Sequence, residues 1–399
     1  MTAAPGGAAV TVCIPSYRSA GFIGQTLASV AAQTYGNFKV LMAIEPEDAQ
    51  ATVLAMSDFL ADPRFDYYVN TTNHGYALNV RGLLPRVRTP YFAVLPHDDL
   101  WHPDFLATLV GRLADRPEAS GAYGDTYKFG HYAGYRAVAI ADGPLFERLL
   151  SFYTEGAEGQ PWHGVTRREL LDQPYPYNEF DGFAVECEWA LHLVLRGPVL
   201  HDENALYLKR ESPDGSAAVS VGWRVRMAEG TLRAALAHHR RRMLAPLDAL
   251  PLSGGQRRLM KLAAEAAMLR RWMMFSKGRF DLGHDDEGRL WATRGGLLAD
   301  GSAEARAIHA RLLVAISRHA MNRGDRAAGI EHAEAAVALQ PDLGDAFLHL
   351  ANVYLVTGRV DDALEPVRRA SELLPAGSGV VPLQVDAARA IAQVNRVAS

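Results

Sequence analysis

The chain has 399 residues, of which 49% are hydrophobic and 22% are charged, and this is enough apolar content for two or three domains with buried cores. Its formal net charge of −4 gives no overall positive field, so nucleic acid is not an expected partner. The two cysteines, Cys13 and Cys187, are too few for a disulfide framework or a structural zinc site, and we expect a reducing compartment.

The apolar runs are all shorter than the roughly 18 to 20 residues that a membrane-spanning helix needs. Residues 1–8 have the composition of a short flexible tail and lack the pattern of a signal peptide. We therefore expect a cytoplasmic protein. The basic run 238–242 is expected to be a solvated helix face, and a peripheral contact with lipid phosphates at a membrane is the alternative.

Strand-like apolar runs alternate with segments of helical spacing along the first hundred residues. The predicted strands are residues 9–14, 38–44, 65–69 and 91–95, and the predicted helices lie at 23–30, 53–60 and 76–87. This alternation predicts a mostly parallel sheet with helices on both faces. Such sheets bind ligands at the carboxyl ends of their strands.

Two adjacent carboxylates, Asp98 and Asp99, follow the fourth predicted strand within the stretch VLPHDDLWHP. Their position places them at the expected ligand-binding edge of the sheet. Two carboxylates at a strand end suit a hard divalent cation that is shared with phosphate oxygens, and such a cation can neutralise a departing diphosphate. The alternative is that Asp98 caps the following turn and Asp99 is solvated.

Several common nucleotide-binding and hydrolytic motifs are absent from the sequence. There is no G-x-G-x-x-G fingerprint after the first strand, no P-loop and no G-x-S-x-G elbow. The glycine-rich first loop of sugar-nucleotide pyrophosphorylases is absent as well. A nucleotide-type sheet that uses carboxylates instead of a glycine loop remains.

The order of segments resembles the family-two glycosyltransferases of the GT-A fold. The opening VTVCIPSYRSAGFIGQTLASVAAQTYGNFKVLMAIE resembles the start of that family, and NTTNHGYALNVRGLL resembles its Asn-x-Gly segment. VLPHDDLWHPDFL is similar to its metal-binding Asp-x-Asp-Asp segment, while HGVTRRELL and VECEWALHLVLRG, with LYLKRESPDGS, resemble its acceptor-side motifs. The resemblance covers roughly residues 9–220.

On the donor side, the resemblance implies a nucleoside-diphosphate sugar, such as a UDP-sugar, and a divalent cation, Mn²⁺ or Mg²⁺. Asp98 would be the main metal ligand, and Asp99 would support it or touch the sugar. The remaining residues that the resemblance assigns to the nucleotide-sugar site are Pro15, Tyr17, Glu45 and Asn79.

On the acceptor side, the resemblance implies an inverting reaction in which a carboxylate takes the proton of the acceptor hydroxyl, which belongs to a carbohydrate, a lipid-linked or another acceptor. The candidates are Glu186, which we favour, and Glu188. Residues two apart on a helix point about 200° from each other, so only one can face the site. The alternative for both is a charged first helical turn. His163 and Arg167 are expected near the acceptor, with a packed or capping role as the alternative for His163.

Some positions depart from the pattern of the family. Pro96 stands where the first Asp of Asp-x-Asp is usual, and Glu45 stands where a shorter acid is usual. Leu78 and Ser212 replace an arginine and a histidine. His97 either takes the place of the missing acid or is an ordinary hydrogen-bonding or surface residue. These changes bear on nucleotide identity and metal dependence.

After about residue 220 the pattern becomes wholly helical, and GRFDLGHDDEG (278–288) is predicted to be a loop. Pro341 and Pro375 are 34 residues apart, as are Gly324 and Gly358, and this spacing predicts two tetratricopeptide repeats with a capping helix. The predicted domains are thus a tail (1–8), a GT-A domain (9–220), a helical linker (221–305) and the repeats (306–399). The repeats would bind a protein partner, self-associate or be purely structural.

We therefore predict a metal-assisted glycosyltransferase that moves a sugar from a nucleoside diphosphate to an acceptor hydroxyl with inversion. The alternative is a non-catalytic binding or scaffold protein on a degenerate transferase fold, which would work through its repeats.

Overall fold

The structure is a computed structural model that describes residues 9–131, 133–155, 159–175, 184–211, 229–281, 283–299 and 302–374. The chain divides into two compact units, Met1–Met260 and Lys261–Ser399. The division lies within the segment 221–305 that we predicted to be a helical linker. The predicted tail, the predicted capping helix and Ser212 lie outside the described residues.

The first unit contains a mixed sheet. In the described residues its strands are β1 (Val10–Ser16), β2 (Phe38–Ile44), β3 (Phe65–Val69), β4 (Tyr91–Val94), β5 (Leu100–Trp101), β6 (Gly121–Gly130), β7 (Gly134–Arg136), β8 (Val165–Arg167) and β9 (Val199–Glu211). Their order is β3-β2-β1-β4-β8-β6-β9-β5, with β7 paired to β6. The first four strands are parallel, as predicted, whereas β8 and β5 are antiparallel to their neighbours. The predicted α/β fold class is confirmed.

Helices flank this sheet. They are α1 (Ile23–Ala31), α2 (Ala49–Ala55), α3 (Gly75–Leu83), α4 (Phe105–Asp115), α5 (Leu145–Thr154) and α6 (Val185–Arg196). Every residue of β1 is buried, and Val12 and Ile14 belong to the same apolar core as Leu27 and Val30 of α1. Burying side chains of this size contributes roughly 1.5–3 kcal/mol each, which explains why an uninterrupted apolar run forms the central strand.

Parallel strands bring their carboxyl ends to one edge of the sheet. Tyr17 comes directly after β1, Glu45 after β2, and Asp98 shortly after β4. Strand β9 extends this edge, because its pairing with β5 sets Tyr207 opposite Trp101. The edge therefore collects the candidate side chains from strands that are distant in sequence.

The described residues after Glu211 form helices and no strands, so the predicted all-helical C-terminal region is confirmed. These helices are α7 (Glu229–Leu244), α8 (Pro246–Ala249), α9 (Gly254–Asp281), α10 (Asp285–Arg294), α11 (Gly296–Ala299), α12 (Ala303–Asn322), α13 (Arg326–Leu339), α14 (Gly344–Val356) and α15 (Leu364–Leu373).

Three helical turns in the second unit share one geometry. Each has a glycine with positive φ, and the residue after it donates its backbone N–H to the carbonyl five residues earlier. Glycine suits this position because it lacks the Cβ that makes positive φ costly. The glycines are Gly283 (φ 77°), Gly324 (φ 84°) and Gly358 (φ 81°). The first of these turns lies in the segment predicted to be a loop; that prediction is wrong, because α10 begins at Asp285.

The first two helical hairpins, α9–α10 and α12–α13, also share a hydrogen bond across their arms. Ser276 Oγ donates a hydrogen bond to Gly288 O, and Ser317 Oγ donates one to Gly329 O, each at 2.6 Å. Both glycines lie at close crossings, since a Cβ at Gly329 would come within 2.4 Å of Met321 Sδ. The first hairpin is thus related to the second by a spacing of 41 residues. The assignment of the later hairpins to tetratricopeptide repeats stays a prediction.

Two buried histidines make the stability of the second unit depend on pH. Burial, aided by Arg289 and Arg318 respectively, lowers the pKa of His332 and His349 to about 4. Because the folded pKa lies below the unfolded value of about 6.5, stability is complete above pH 6.5 and falls as the pH drops toward 4. Each imidazole then costs up to about 1.4 kcal/mol per pH unit.

We expect the melting temperature to fall between pH 7.5 and pH 5.0, and to fall less in the double variant His332→Gln/His349→Gln, whose amides do not titrate. Calorimetric melts at both pH values measure this difference. Parallel pH profiles for the two proteins would show that these histidines do not carry the effect.

Candidate active site

Asp99 joins the segment after β4 to β9. Its Oδ2 accepts a hydrogen bond from the Tyr207 hydroxyl at 2.5 Å, and its Oδ1 accepts one from the Arg210 backbone N–H at 2.7 Å. Burial raises the pKa of Asp99 to about 7, and the nearby charge of Lys209 and these two donors counteract that rise. Since Tyr207 and Arg210 already bond both of its oxygens, Asp99 positions β9, and the alternative of a solvated Asp99 does not apply.

Asp98 lies on the same turn and is also buried. The turn is held by the Asp99 N–H, which donates to Pro96 O at 3.2 Å, and by Arg210 Nε, which donates to the Asp98 backbone carbonyl at 2.9 Å. His97 Nδ1 lies 3.3 Å from Pro15 O, so this ring ties the turn to the end of β1. His97 is therefore a buried hydrogen-bonding residue and not a surface residue.

The carboxylate of Asp98 is the kind of oxygen ligand that Mg²⁺ and Mn²⁺ take. Such ions are commonly bound by one or two carboxylates together with substrate phosphate oxygens. Among the described residues there is no group of three or more His, Cys, Asp or Glu side chains that could hold a metal alone. A cation at Asp98 would therefore need oxygen ligands from the substrate.

A network of amides fixes Glu45 at the end of β2. Its two oxygens accept hydrogen bonds from the His74 backbone N–H and from Asn70 Nδ2, each at 3.1 Å. Asn79 contacts Asn70 at 3.3 Å and donates to Ala43 O at 3.0 Å. Burial raises the pKa of Glu45, and the Asn70 and His74 hydrogen bonds partly offset this. Asn79 therefore helps to position Asn70, which bonds Glu45.

The other two predicted donor-site residues lie at the end of β1. Pro15 is buried within the strand, and Tyr17 is half-buried just beyond it. The Tyr17 ring lies 5.2 Å from the Arg18 guanidinium carbon. The structure thus brings all the predicted donor-side residues to one edge of the sheet.

The two candidate bases on α6 have different surroundings. Glu188 is 3% exposed, and its Oε1 lies 2.9 Å from His239 Nδ1 while its Oε2 lies 3.5 Å from Arg242 Nε. Glu188 therefore faces α7, and the prediction that it is a candidate base is corrected. The prediction that the basic run 238–242 is a solvated helix face is also corrected in part, because His239 is buried against Glu188.

Glu186 lies on a different side of α6. Its side chain packs over Gly159, where a Cβ would come within 2.5 Å of the Glu186 Cβ. Its charge acts on His163, Tyr76 and Lys209. Asp98 and Asp99 also act on Tyr76 and Lys209, so Glu186 lies near the carboxylates that follow β4.

Aromatic side chains pack together in this region. The His163 ring packs against Tyr207 in a tilted arrangement with a centroid distance of 4.6 Å, and Trp162 Nε1 donates to the Tyr76 hydroxyl at 3.1 Å. Burial lowers the pKa of His163 to about 4, so its imidazole is neutral at physiological pH. His163 is therefore packed, which was the alternative interpretation, and its expected position near the acceptor stays a prediction.

Arg167 lies away from this region. Its guanidinium donates hydrogen bonds to the carbonyls of Ala119 and Leu113, each at 2.6 Å, near the C-terminal end of α4. Arg167 pairs with Tyr91, the first residue of β4, so it lies at the opposite edge of the sheet from Asp98. The predicted acceptor-side role is wrong, because the side chain caps a helix.

Sequence reasoning missed Tyr76, Trp162, Tyr207 and Lys209. Tyr207 and Lys209 alternate with apolar residues along LYLKRE, and that alternation places both on one face of β9. The sequence does not predict the pairing of β9 with β5, and only this pairing shows that the face with Tyr207 and Lys209 lies next to Asp99.

Residues 11–173 match the model of a family described as Glycosyl transferase family 2. A curated relative, an uncharacterized glycosyltransferase of Rickettsia typhi (strain ATCC VR-144 / Wilmington), is 28% identical over 95 residues. That match covers 24% of this chain and only 29% of the relative. The matched family model therefore concerns the sheet-containing part of the chain.

Solved structures of S. aureus TarS resemble the chain in fold. TarS 1-349 in complex with UDP-GlcNAc has a TM-score of 0.56 and 15% identity, covering 81% of this chain and 88% of TarS 1-349. The complex of TarS 1-349 with UDP has a TM-score of 0.53 at 15% identity, with the same coverage. In the part of our chain that the structure describes, no helix is both long and apolar enough to span a membrane. The first unit thus has a GT-A-like fold and matches a glycosyltransferase family model.

The different surroundings of Glu186 and Glu188 give a stability prediction. Removing one partner of a buried pair that contains a charged group typically costs about 3–5 kcal/mol, because the group that remains is buried without compensation. We expect Glu188→Ala to lower the free energy of unfolding by about that amount, and Glu186→Ala to change it much less. Urea denaturation followed by tryptophan fluorescence measures both values.

The double variant Glu188→Ala/His239→Ala is the control for this comparison. It should be less destabilised than the sum of the two single variants, because both partners are removed together. Equal losses for Glu186→Ala and Glu188→Ala would contradict the assignment of Glu188 to a buried pair.

Proposed function

We propose that the protein is a glycosyltransferase that moves a sugar from a nucleoside diphosphate to an acceptor hydroxyl with inversion. The observation that carries this proposal is that the carboxylates after β4 and the one in the first turn of α6 lie close enough to act on the same side chain. The charges of Glu186, Asp99 and Asp98 all act on the buried hydroxyl of Tyr76. Donor-side and acceptor-side carboxylates of this kind are what transfer to a hydroxyl requires.

In this proposal Glu186 is the general base. It accepts the proton of the acceptor hydroxyl as that oxygen bonds to the anomeric carbon. The bond between the anomeric carbon and the diphosphate oxygen breaks on the opposite face of the sugar, and its electron pair leaves with the nucleoside diphosphate. Glu188 cannot take this role while it is bound to His239.

The donor side of the proposal rests on Asp98. A bound Mn²⁺ or Mg²⁺ would supply Lewis-acid neutralisation of the diphosphate charge. Asp98 would hold this ion, while Asp99 holds the turn in place through Tyr207 and Arg210. Because two of the fold's solved neighbours are complexes with UDP-GlcNAc and UDP, we propose a UDP-sugar as the donor.

The acceptor in this proposal is a carbohydrate or lipid-linked hydroxyl that enters beside His163. The alternative of a non-catalytic scaffold would be favoured by the loss of Asp98 or of the base. The chain retains Asp98 and Glu186, so we favour the enzyme.

Glu186→Gln tests the proposed base. Glutamine keeps the size of the side chain but cannot accept the proton, and general-base catalysis typically contributes about 100- to 10,000-fold. We expect turnover to fall at least about 100-fold while the affinity for the nucleoside diphosphate stays within about twofold. Donor consumption and calorimetric binding measure the two quantities.

The matched control is Glu169→Gln, which removes an exposed glutamate on the short helix Arg168–Asp172. It should keep the activity of the parent. Normal turnover by a folded Glu186→Gln protein would remove Glu186 as the base.

A further inference from the structure

Lys209 lies on the strand that faces the donor-side carboxylates. Strand β9 pairs antiparallel with β5, with Leu208 opposite Leu100 and Tyr207 opposite Trp101. The same register, continued by one residue, sets Lys209 opposite Asp99. The Arg210 backbone N–H bonds to Asp99 Oδ1, so β9 stays against this turn beyond the last ladder pair. Opposite residues of an antiparallel pair project to the same face.

The Lys209 ammonium has no hydrogen-bond or ion-pair partner among the described residues, although it is only half-exposed. Asp99 is already bonded to Tyr207 and Arg210. The neighbouring lysine on β6, Lys128, differs in this respect, because its ammonium lies 2.8 Å from Glu211. Of these two adjacent lysines, Lys128 is engaged within the protein and Lys209 is available for a ligand.

The surroundings of Lys209 keep it charged. Burial lowers the pKa of Lys209, but the charges of Asp99, Glu186, Glu211 and Asp98 raise it by more. Keeping a partly buried ammonium without a direct partner costs free energy, and a bound anion that pairs with it would offset this cost. An anionic group that binds between Asp98 and Glu186 would do so.

We propose that Lys209 contacts the diphosphate of the donor and stabilises it as it leaves. This inference rests on the proposed function and adds a residue that the family resemblance did not assign. Negative charge builds up on the diphosphate oxygen as the bond to the anomeric carbon breaks, and a fixed ammonium close by stabilises that charge most in the transition state. Lys209 donates a hydrogen bond there and keeps its proton.

The position of Pro96 supports this role. The family pattern has an acid where Pro96 stands, so the chain has one carboxylate fewer with which to hold a cation. Lys209 supplies a positive charge that belongs to the protein itself and that faces the same turn. Part of the neutralisation of the diphosphate then comes from the chain.

The test compares Lys209→Met, Lys209→Arg and the control Lys277→Met. Methionine keeps most of the length of the side chain and removes its charge, whereas arginine restores the charge. Lys277 is an exposed lysine of the second unit that pairs with Asp281, so its loss changes the net charge equally. Calorimetry measures binding of UDP, GDP, CDP and dTDP, and of the matching nucleosides, with Mn²⁺ present.

For the diphosphate that the parent binds, we expect Lys209→Met to weaken affinity at least about tenfold and to leave the affinity for the nucleoside unchanged. Lys209→Arg should recover most of the loss, and Lys277→Met should match the parent. Turnover of Lys209→Met should fall further than its diphosphate affinity, because charge builds up on the leaving group.

The outcomes separate the two proposals. If the parent binds none of the four diphosphates, the proposed function fails and the role of Lys209 fails with it. If the parent and Lys209→Met bind one of them equally well, only the role of Lys209 is overturned. An equal loss of diphosphate and nucleoside affinity in Lys209→Met, with a lowered melting temperature, would show that Lys209 acts only in the fold. The variant Lys209→Gln repeats this comparison with a polar, uncharged side chain.

Discussion

The site depends on the two hydrogen bonds that bring β9 against the turn after β4. Asp99 accepts them from the Tyr207 hydroxyl and the Arg210 N–H, and both are buried or half-buried. Hydrogen bonds to a carboxylate in such a setting are stronger than those between neutral groups. Through this contact the last strand of the sheet reaches the carboxyl edge and presents Lys209 and Tyr207 beside Asp99. Of this acidic pair, Asp99 thus has a structural role, and Asp98 is the proposed metal ligand.

A second constraint acts on the acceptor side. The first turn of helix α6 contains two glutamates, Glu186 and Glu188, and tertiary packing gives them different surroundings. His239 and Arg242 from α7 hold Glu188, which fixes the rotation of α6 and directs Glu186 toward the space above Gly159. The helical segment that follows the sheet therefore contributes to the geometry of the proposed base. Residues two apart on a helix cannot both face one cleft, so the buried pair determines which of them does.

The periodicity of the sequence predicted the four parallel strands, the edge that holds the site and the all-helical C-terminal region, because these follow from local apolar patterns. It did not predict the capping role of Arg167 or the buried pairing of Glu188, because both depend on contacts between distant segments. The hairpin α9–α10 was missed for a different reason. It precedes the next hairpin by 41 residues, whereas the repeat found in the sequence has a spacing of 34. Only the shared turn at Gly283 and the matching hydrogen bond of Ser276 reveal it.

The most direct test of the account is a crystal structure of the protein with a UDP-sugar and Mn²⁺. The account predicts that the diphosphate lies between Asp98 and the Lys209 ammonium. It also predicts that Glu186 faces the sugar from the side opposite the diphosphate, and that Glu188 remains bound to His239. A nucleotide bound away from the carboxyl edge of the sheet would contradict it, and so would a Glu188 released from His239 and turned toward the sugar.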